Sequence, residues 1–403
     1  MRFLLEPCNN TLSHIAKCLA VRDLLRRRGH EVVLAVAPSR ARFLDGLGVP
    51  HAVLADIQDA DGGASPSFRW FHPARVEACV KAELELLHRL RPDVVLGVFR
   101  FTGPISARIA GIPYDSLICG CMTPACTEVL GFVAGEAGEQ TQARAINFFR
   151  RACARIMRPA LSALGMEPIE DAWELLIGRR TFLWDFSAFQ PLASSTGFRH
   201  VGPIRWSGWP HQGFDQAAFE ALPDPVALLS FGTGAVRVAE AERFIQVLHR
   251  LGYSVAVASG GPHGWSCFLP AGPRLAIFDF VPMESVLPRV ALVGCHGGQG
   301  LIFDALWHAI PVLVLPFQPE QAQNGRCLER IGCGRRMVRG VVFRGAAEAG
   351  SAAFMAKPLD EIESEVGNFL NDSELPHRLL RASSIVRSYN GAATLAELLE
   401  SGE

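Results

Sequence analysis

Short apolar runs alternate with longer amphipathic segments along the first half of the chain. Runs rich in Val, Ile and Leu are typical of buried strands, whereas apolar positions three or four residues apart predict helices. Strands are predicted at Phe3–Leu5, Glu31–Ala37 and Asp93–Phe99, and helices at His14–Arg28, Ala74–Leu90, Ile105–Ala110 and Thr141–Leu164. This alternation predicts a parallel sheet built from β-α-β units.

The same rhythm starts again in the second half, after a stretch near 201–225 that is dense in Gly, Pro and Trp and lacks periodicity. Strands are predicted at Val226–Phe231, Ser254–Ala258, Leu275–Phe278, Ala291–Val293 and Val312–Leu315, and helices at Ala239–Leu251, Gln299–His308 and Glu320–Ile331. The aperiodic stretch is typical of an interdomain linker.

The predicted fold class is therefore α/β, with two Rossmann-like, doubly wound domains that face each other across a cleft. The boundaries expected are 1–205 for the first domain, 206–224 for the linker and 225–380 for the second domain. A final helix at 381–403 is expected to pack back on the first domain.

Composition and charge restrict the classes of partner. A length of 403 residues, 49% hydrophobic and 20% charged, favours a globular protein of two domains. The formal net charge of -1 offers no overall field for collecting polyanions, so no nucleic acid partner is expected.

The cysteines and the hydrophobic runs indicate a cytoplasmic protein. The 11 cysteines lack paired CxxC spacing and are expected to be reduced thiols, with Cys119 and Cys121 buried as small apolar residues. The apolar run before Glu6 is too short for a signal peptide, and no later run approaches the ~20 residues that span a bilayer. Resting on a membrane surface stays open.

A glycine-rich turn, His296-Gly297-Gly298-Gln299-Gly300, follows a predicted strand and opens a predicted helix. Glycines allow the backbone to approach an anion closely, and the free N-H groups at a helix start point towards it. The turn therefore predicts a phosphate-binding site, although glycine turns before helices are also common as plain connections.

The residues after this turn strengthen the prediction. Asp304 comes one turn into the helix, and the next strand is followed by Pro316-Phe317-Gln318-Pro319-Glu320-Gln321, with Asn324 behind it. The ensemble resembles the donor-binding signature of family 1 glycosyltransferases, which have the GT-B fold, in their bacterial natural-product and plant branches.

The resemblance implies a role for each matching residue. His296, Gly297, Gly298 and Gly300 would hold the diphosphate of a nucleotide sugar, and Asp304 would hold the ribose hydroxyls. Glu320 and Gln321 would hold the sugar hydroxyls, where a carboxylate can accept charge-assisted hydrogen bonds.

Two segments further upstream are similar to other parts of the family's donor site. Phe280 and Val281, within Phe280-Val281-Pro282, look like the loop that receives the base. Ser230, Gly232 and Thr233 resemble the first turn of the second domain, which lies close to the phosphates.

His14 lies where the family carries its general base, after the first strand and at the start of the first helix. The positive end of a helix disfavours an imidazolium, so this histidine is expected to stay neutral and to accept a proton. It would deprotonate an acceptor hydroxyl, which then attacks the anomeric carbon opposite the leaving diphosphate, with inversion. A packed or helix-capping histidine is the alternative.

Three departures from the family pattern weaken the resemblance, the first of which is Ser13 in place of the usual glycine before the base. Gly97 stands where an aspartate usually steadies the base, so Asp115, Glu128 or the acceptor itself would have to serve. Leu301 stands where a hydroxyl usually binds the phosphate, which removes a hydrogen bond worth ~1 kcal/mol.

The function expected is that of an inverting, metal-independent glycosyltransferase that moves a sugar from a UDP- or dTDP-sugar to a small, natural-product-like acceptor, without a cofactor. Three alternatives remain. Asp59-Ala60-Asp61 could hold a divalent ion in a metal-dependent transferase, but it lies in a polar loop. A nucleotide-sugar 2-epimerase would share the architecture, and a degenerate homologue would bind the donor without turnover.

Overall fold

The computed structural model describes residues 1–58, 67–193, 197–209, 213–232, 238–260, 272–340 and 352–402. Thr233 and Asp59-Ala60-Asp61 lie outside these ranges, as does part of the predicted linker. The roles suggested for them stay predictions.

Thirteen strands form the framework of the described chain: β1 (Arg2–Pro7), β2 (Glu31–Val36), β3 (Ala52–Val53), β4 (Val94–Val98), β5 (Tyr114–Ile118), β6 (Arg180–Leu183), β7 (Phe198–His200), β8 (Val226–Ser230), β9 (Ser254–Ala258), β10 (Leu275–Phe278), β11 (Val290–Cys295), β12 (Val312–Val314) and β13 (Gly334–Arg336).

Helices connect or flank these strands: α1 (Leu12–Arg27), α2 (Pro38–Gly46), α3 (Pro73–Leu90), α4 (Gly103–Ala110), α5 (Glu139–Ala163), α6 (Gln216–Glu220), α7 (Val238–Arg250), α8 (Met283–Val286), α9 (Gln299–Trp307), α10 (Pro319–Arg330), α11 (Leu359–Leu370), α12 (Leu375–Ser388) and α13 (Gly391–Ser401).

The first sheet has seven parallel strands in the order β3-β2-β1-β4-β5-β6-β7. The strands β1, β4 and β5 are buried on both faces, which explains their continuous apolar runs. On one face Leu4 and Val95 pack against Leu86 and Leu87 of α3 and Ala107 of α4. The sheet order reverses between β1 and β4.

The second sheet has six parallel strands in the order β10-β9-β8-β11-β12-β13. Its core includes Leu229 and Leu292 of the central strands, packed with Phe244 and Leu248 of α7 and Val366 of α11. Here the order reverses between β8 and β11. The predicted α/β fold class, two doubly wound parallel sheets, is confirmed.

Two compact units contain these sheets. The first comprises Met1–Thr127, Arg144–Trp206 and Asn390–Glu403, and the second comprises Glu128–Ala143 and Ser207–Tyr389. The predicted first domain, 1–205, therefore omits the final helix and includes a segment that groups with the second unit.

The C-terminal region differs from the predicted single helix at 381–403. The chain has α12 and α13 instead, separated at Tyr389 and Asn390, because the Asn390 side chain accepts a hydrogen bond from Ala393 N (3.3 Å) and caps a new helix. Helix α13 packs against α1 in the first unit, where Glu400 pairs with Arg28 and with His30.

No helix within the described ranges combines the length and the apolar character that crossing a bilayer requires.

Candidate functional site

Each sheet places candidate residues at the point where its strand order reverses. In doubly wound sheets, ligands bind outside the carboxyl ends of the strands at this point, because the connections leave to opposite faces there. In the first unit, β1 ends at Pro7 beside Val98 of β4, and His14 follows in α1. In the second unit, β8 ends at Ser230 beside Cys295 of β11, and the glycine turn follows directly.

The glycine turn is closed around His296. Gly232 has φ +76° and Gly297 has φ +99°, both in the left-handed region that favours glycine. A Cβ atom at Gly232 would lie 2.9 Å from Cε1 of His296, and one at Gly298 would lie 2.8 Å from its Nε2. The backbone of Gly232 and Gly298 therefore packs directly against the imidazole at the N-terminus of α9.

Burial lowers the pKa of His296 from its ordinary 6.5 to about 4, against an opposing effect of the Ser230 backbone. The ring is therefore neutral at physiological pH, with one N-H donor and one acceptor nitrogen. Its buried Nδ1 has no hydrogen-bond partner among the described residues. A neutral imidazole at this place can donate to a phosphate oxygen without contributing a permanent charge.

A buried asparagine ties the turn to the next helix. Asn324 of α10 is 0% exposed and donates from Nδ2 to the Gly297 carbonyl (2.8 Å) and to Glu320 Oε1 (2.7 Å). Its Oδ1 accepts from Gln299 Nε2 (3.0 Å). The network fixes the turn relative to Glu320. Asn324 and Gln299 both belong to the matched motif, but sequence reasoning gave neither a role.

Glu320 and Gln321 occupy the first turn of α10, where the structure brings them near the glycine turn. Glu320 is half-buried. Gln321 is buried, and its Oε1 accepts from Phe317 N (2.9 Å). If Gln321 binds a sugar hydroxyl, its amide N-H₂ group can donate, and Oε1 keeps a second lone pair to accept.

The remaining residues expected to bind the nucleotide-sugar donor lie on α9 and after β10. Gly300 and Leu301 are the second and third residues of α9, and Asp304 lies half-buried one turn further. Val281 is 2% exposed, whereas Phe280 is half-buried and its ring lies 5.6 Å from that of Trp209. No role could be predicted for Trp209 from the sequence, because it lies in the aperiodic stretch.

In the first unit, His14 is the third residue of α1, and its ring lies between two aromatic rings. The centroids are 5.7 Å from Phe99 and 5.4 Å from Trp184. Phe99 itself has φ +54°, a strained backbone conformation that residues at functional sites often adopt. The Nδ1 atom of His14 is buried without a hydrogen-bond partner in the described part of the chain.

Burial and, to a smaller extent, the nearby Lys17 ammonium lower the pKa of His14 to about 3. The neutral state expected from the sequence agrees with this shift. An imidazolium at this position would be poorly stabilised, because burial removes it from water and Lys17 carries the same charge.

Both acids suggested as substitutes for the missing aspartate have arginine partners, and a role for either of them, or for the acceptor, beside His14 stays a prediction. Asp115 pairs with Arg179 (3.3 Å) and Arg180 (2.5 Å), and Glu128 belongs to the second unit, where it pairs with Arg326 (3.0 Å). At Gly97 the Tyr114 hydroxyl occupies the space that a Cβ atom would need. No side chain larger than hydrogen fits there without displacing Tyr114.

Among the described residues, no group of three or more His, Cys, Asp and Glu side chains is arranged to hold a metal ion. Cys119 and Cys121 are both buried, with their sulfur atoms 3.5 Å apart.

Comparisons with known proteins agree with this geometry. Residues 232–339 match the Glycosyltransferase family 28 C-terminal domain. The PGL/p-HBAD biosynthesis rhamnosyltransferase of Mycobacterium bovis is 25% identical over 342 residues, covering 80% of this chain and 74% of that protein.

Solved structures show the same fold. CalG4, the calicheamicin glycosyltransferase, has a TM-score of 0.72 at 19% identity and covers 99% of this chain and 97% of its own. VinC, a glycosyltransferase solved in complex with dTDP, has a TM-score of 0.68 at 15% identity and covers 99% of both chains.

The two doubly wound sheets, the matched domain around the glycine turn and these relatives together define a glycosyltransferase with the GT-B fold. Within that class, the chain is similar to family 1 enzymes of the bacterial natural-product type.

Proposed function

We propose that this glycosyltransferase moves a sugar from a UDP- or dTDP-sugar to a hydroxyl group of a small acceptor, with inversion and without a metal ion. The glycine turn carries the proposal, because Gly232 and Gly298 bring bare backbone against His296 at the start of α9, and Gly297 adopts a positive φ beside them. A diphosphate at that place meets free backbone N-H groups and the positive end of the helix dipole.

The leaving diphosphate would be stabilised by these fixed donors. Backbone N-H groups and a neutral imidazole can accommodate the charge that develops on the phosphate oxygen, which is the part a divalent ion plays in other transferases. Gly300 continues the cradle. Asp304 would accept from the ribose hydroxyls and Glu320 from the sugar hydroxyls, while the Gln321 amide donates.

Phe280 and Val281, with Trp209 beside them, would receive the base. Their apolar surfaces suit stacking of a pyrimidine ring. The complex of VinC with dTDP supports a thymine or uracil nucleotide as the donor.

His14 would take the proton from the acceptor hydroxyl as that oxygen attacks the anomeric carbon. The attack comes from the face opposite the departing diphosphate, so an α-linked donor gives a β-linked product. A base without a carboxylate partner is weak, and acceptor hydroxyls of low pKa should therefore react best.

The proposal is tested by incubating the protein with UDP- and dTDP-sugars and a panel of phenolic and aliphatic acceptors, then assigning the anomeric configuration by NMR. We expect an inverted product whose formation is unchanged by EDTA. A retained configuration would contradict the direct displacement, and activity lost on chelation and restored by magnesium would contradict the metal-free site.

A second candidate is a homologue that binds the nucleotide sugar without turnover. It is favoured by His14, whose Nδ1 lacks a partner among the described residues, and by Leu301 at the hydroxyl position. Tight donor binding with no transfer to any member of the panel would support it.

A further inference from the structure

Helix α5 is a long helix with two different faces. It runs from Glu139 to Ala163. Its buried face is apolar and packs into the protein through Phe149, Cys153, Met157, Ala160 and Leu161. Packing of this face holds the helix against the protein, and the opposite side is left in contact with solvent.

A single stripe of side chains runs along the exposed side. Its members are Arg144, Phe148, Arg151, Arg155 and Arg158, and all five are exposed. Their spacing alternates between four and three residues, which keeps them on one side of a helix. At 1.5 Å per residue the stripe is roughly 21 Å long. Phe148, near its start, is 62% exposed.

The four arginines of the stripe are not neutralised within the described part of the chain. None of them forms an ion pair there, whereas the neighbouring Arg150 pairs with Asp171 at 2.6 Å. The helix sequence contains one acid, Glu139, whose Oε2 already accepts from Gly135 N (2.7 Å). The next acids, Glu167 and Glu170, follow the end of the helix.

We propose that this arginine stripe docks the enzyme on an anionic lipid surface, with Phe148 inserted at the level of the headgroups. Guanidinium groups bind phosphate oxygens in a bidentate manner, and a row of four along one line matches a plane of phosphates. An exposed phenylalanine beside them gains free energy when it is buried in the interface.

The occupant is assigned from the combination of charge and apolar surface. An acidic peptide would satisfy the arginines but leave Phe148 exposed, and a nucleic acid, which could stack a base on Phe148, is disfavoured by the net charge of the whole chain. With a net charge of -1 the chain has no overall positive field, so attraction to an anionic surface depends on local clusters such as this stripe. With one inserted side chain, the binding is reversible.

The test is flotation of the full-length protein with vesicles of phosphatidylcholine, alone or with about 30 mol% phosphatidylglycerol. We expect binding to the anionic vesicles only, weakened by salt. Each arginine near such a surface strengthens binding about five-fold, so Arg151→Glu with Arg155→Glu should reduce it at least about 25-fold. The matched control is Lys81→Glu with Arg89→Glu on the exposed side of α3, which changes the charge equally.

The Phe148→Ser variant separates insertion from charge. It should weaken vesicle binding several-fold and leave the dependence on salt concentration unchanged, with circular dichroism confirming the fold of every variant. The proposal is overturned if the wild type ignores anionic vesicles, if the α3 control loses as much binding as the stripe variant, or if heparin is bound where vesicles are not.

Discussion

The imidazole of His14 lies between the rings of Phe99 and Trp184, and it pairs with no carboxylate among the residues that the structure describes. A carboxylate partner usually fixes the tautomer of a catalytic histidine and stabilises its protonated form. Here Tyr114 fills the space next to Gly97, and burial, together with the nearby Lys17 ammonium, lowers the pKa of His14 to about 3. Its titration lies far below the range of ordinary assays.

Replacing His14 by Gln should therefore lower the turnover number by a factor of ~100 to 10,000, because the general base is lost while the amide keeps a similar shape. The affinity for the nucleotide should stay unchanged, since the residues proposed to bind the donor belong to the second unit. Initial rates and calorimetric titration measure the two quantities. His88→Gln, on the exposed side of α3, is the control. A transfer rate equal to that of the wild type would rule out His14 as the base.

Glu6 is a second buried group whose state follows from its surroundings. It is 0% exposed in β1, near Glu83, Asp56 and the Arg100 that pairs with both of them. Burial, followed by the charge of Glu83, raises the pKa of Glu6 to about 8. The side chain is therefore protonated in the folded protein over most of the neutral range.

This shift predicts how stability depends on pH. The folded state keeps the Glu6 proton up to about pH 8, whereas the unfolded chain releases it near pH 4.5, so its contribution to stability falls as the pH rises between these values. Glu6→Gln cannot ionise, so its free energy of unfolding at pH 8 should exceed that of the wild type by on the order of 2 to 4 kcal/mol. The difference should disappear near pH 4.

Urea titrations at several pH values measure this free energy of unfolding, with Glu85→Gln on the surface of α3 as the control. A gap between Glu6→Gln and the wild type that stays constant from pH 4 to pH 8 would show that Glu6 does not hold the proton.

At the scale of elements, the glycine turn depends on helix α10 for its shape. Asn324 joins the Gly297 carbonyl to Glu320, and Gln299 completes the network. Glycines leave such a turn free to adopt several conformations. The buried hydrogen bonds of Asn324 select one of these conformations.

The Asn324→Ala variant should accordingly bind the nucleotide about ten-fold more weakly, because the turn is no longer held in its binding conformation. Gln323→Ala is a matched control: Gln323 is equally buried on the same helix, but its amide donates to Glu128 (2.8 Å) and accepts from Gly131 N (3.0 Å). Isothermal calorimetry gives both affinities. Equal losses in the two variants would reduce Asn324 to a packing role.

Several strands could be predicted from sequence because the pattern that defines them lies within the strand and its flanking residues. The bounds of β9 and β10 match the predictions, since each is an apolar run between polar or glycine-rich segments. The strands β5 and β6 were missed. Asp115 and Ser116 interrupt the apolar pattern of β5 in the sequence. Both can be buried because Asp115 pairs with Arg179 and Arg180, and Ser116 donates to the Leu176 carbonyl.

Part of the candidate site could likewise be predicted from sequence, and part of it needed the structure. The turn His296-Gly297-Gly298 and the pair Glu320-Gln321 could be found as a motif, whereas the Asn324 tether needs the packing of α9 against α10. The reason for Gly97 likewise appears only when the register of β4 and β5 brings Tyr114 to it.

At the scale of the whole molecule, each unit repeats one arrangement: a parallel sheet whose order reverses beside its first strand, with candidate residues just beyond that point. The units are not consecutive in sequence. Glu128–Ala143 belongs to the second unit and Asn390–Glu403 to the first, so an N-terminal fragment cut near residue 205 would lose the partners of Glu128 and of Arg28. Experiments on this enzyme therefore require the full chain.

The central claim is that the turn around His296 binds a nucleoside diphosphate. The most direct measurement is calorimetric titration of the wild type and of His296→Ala with UDP, dTDP and GDP. We expect micromolar binding of UDP or dTDP, lost in the variant, with no heat from GDP. Binding that is equal in the two proteins, or absent for all three nucleotides, would contradict the assignment of this turn as the donor site.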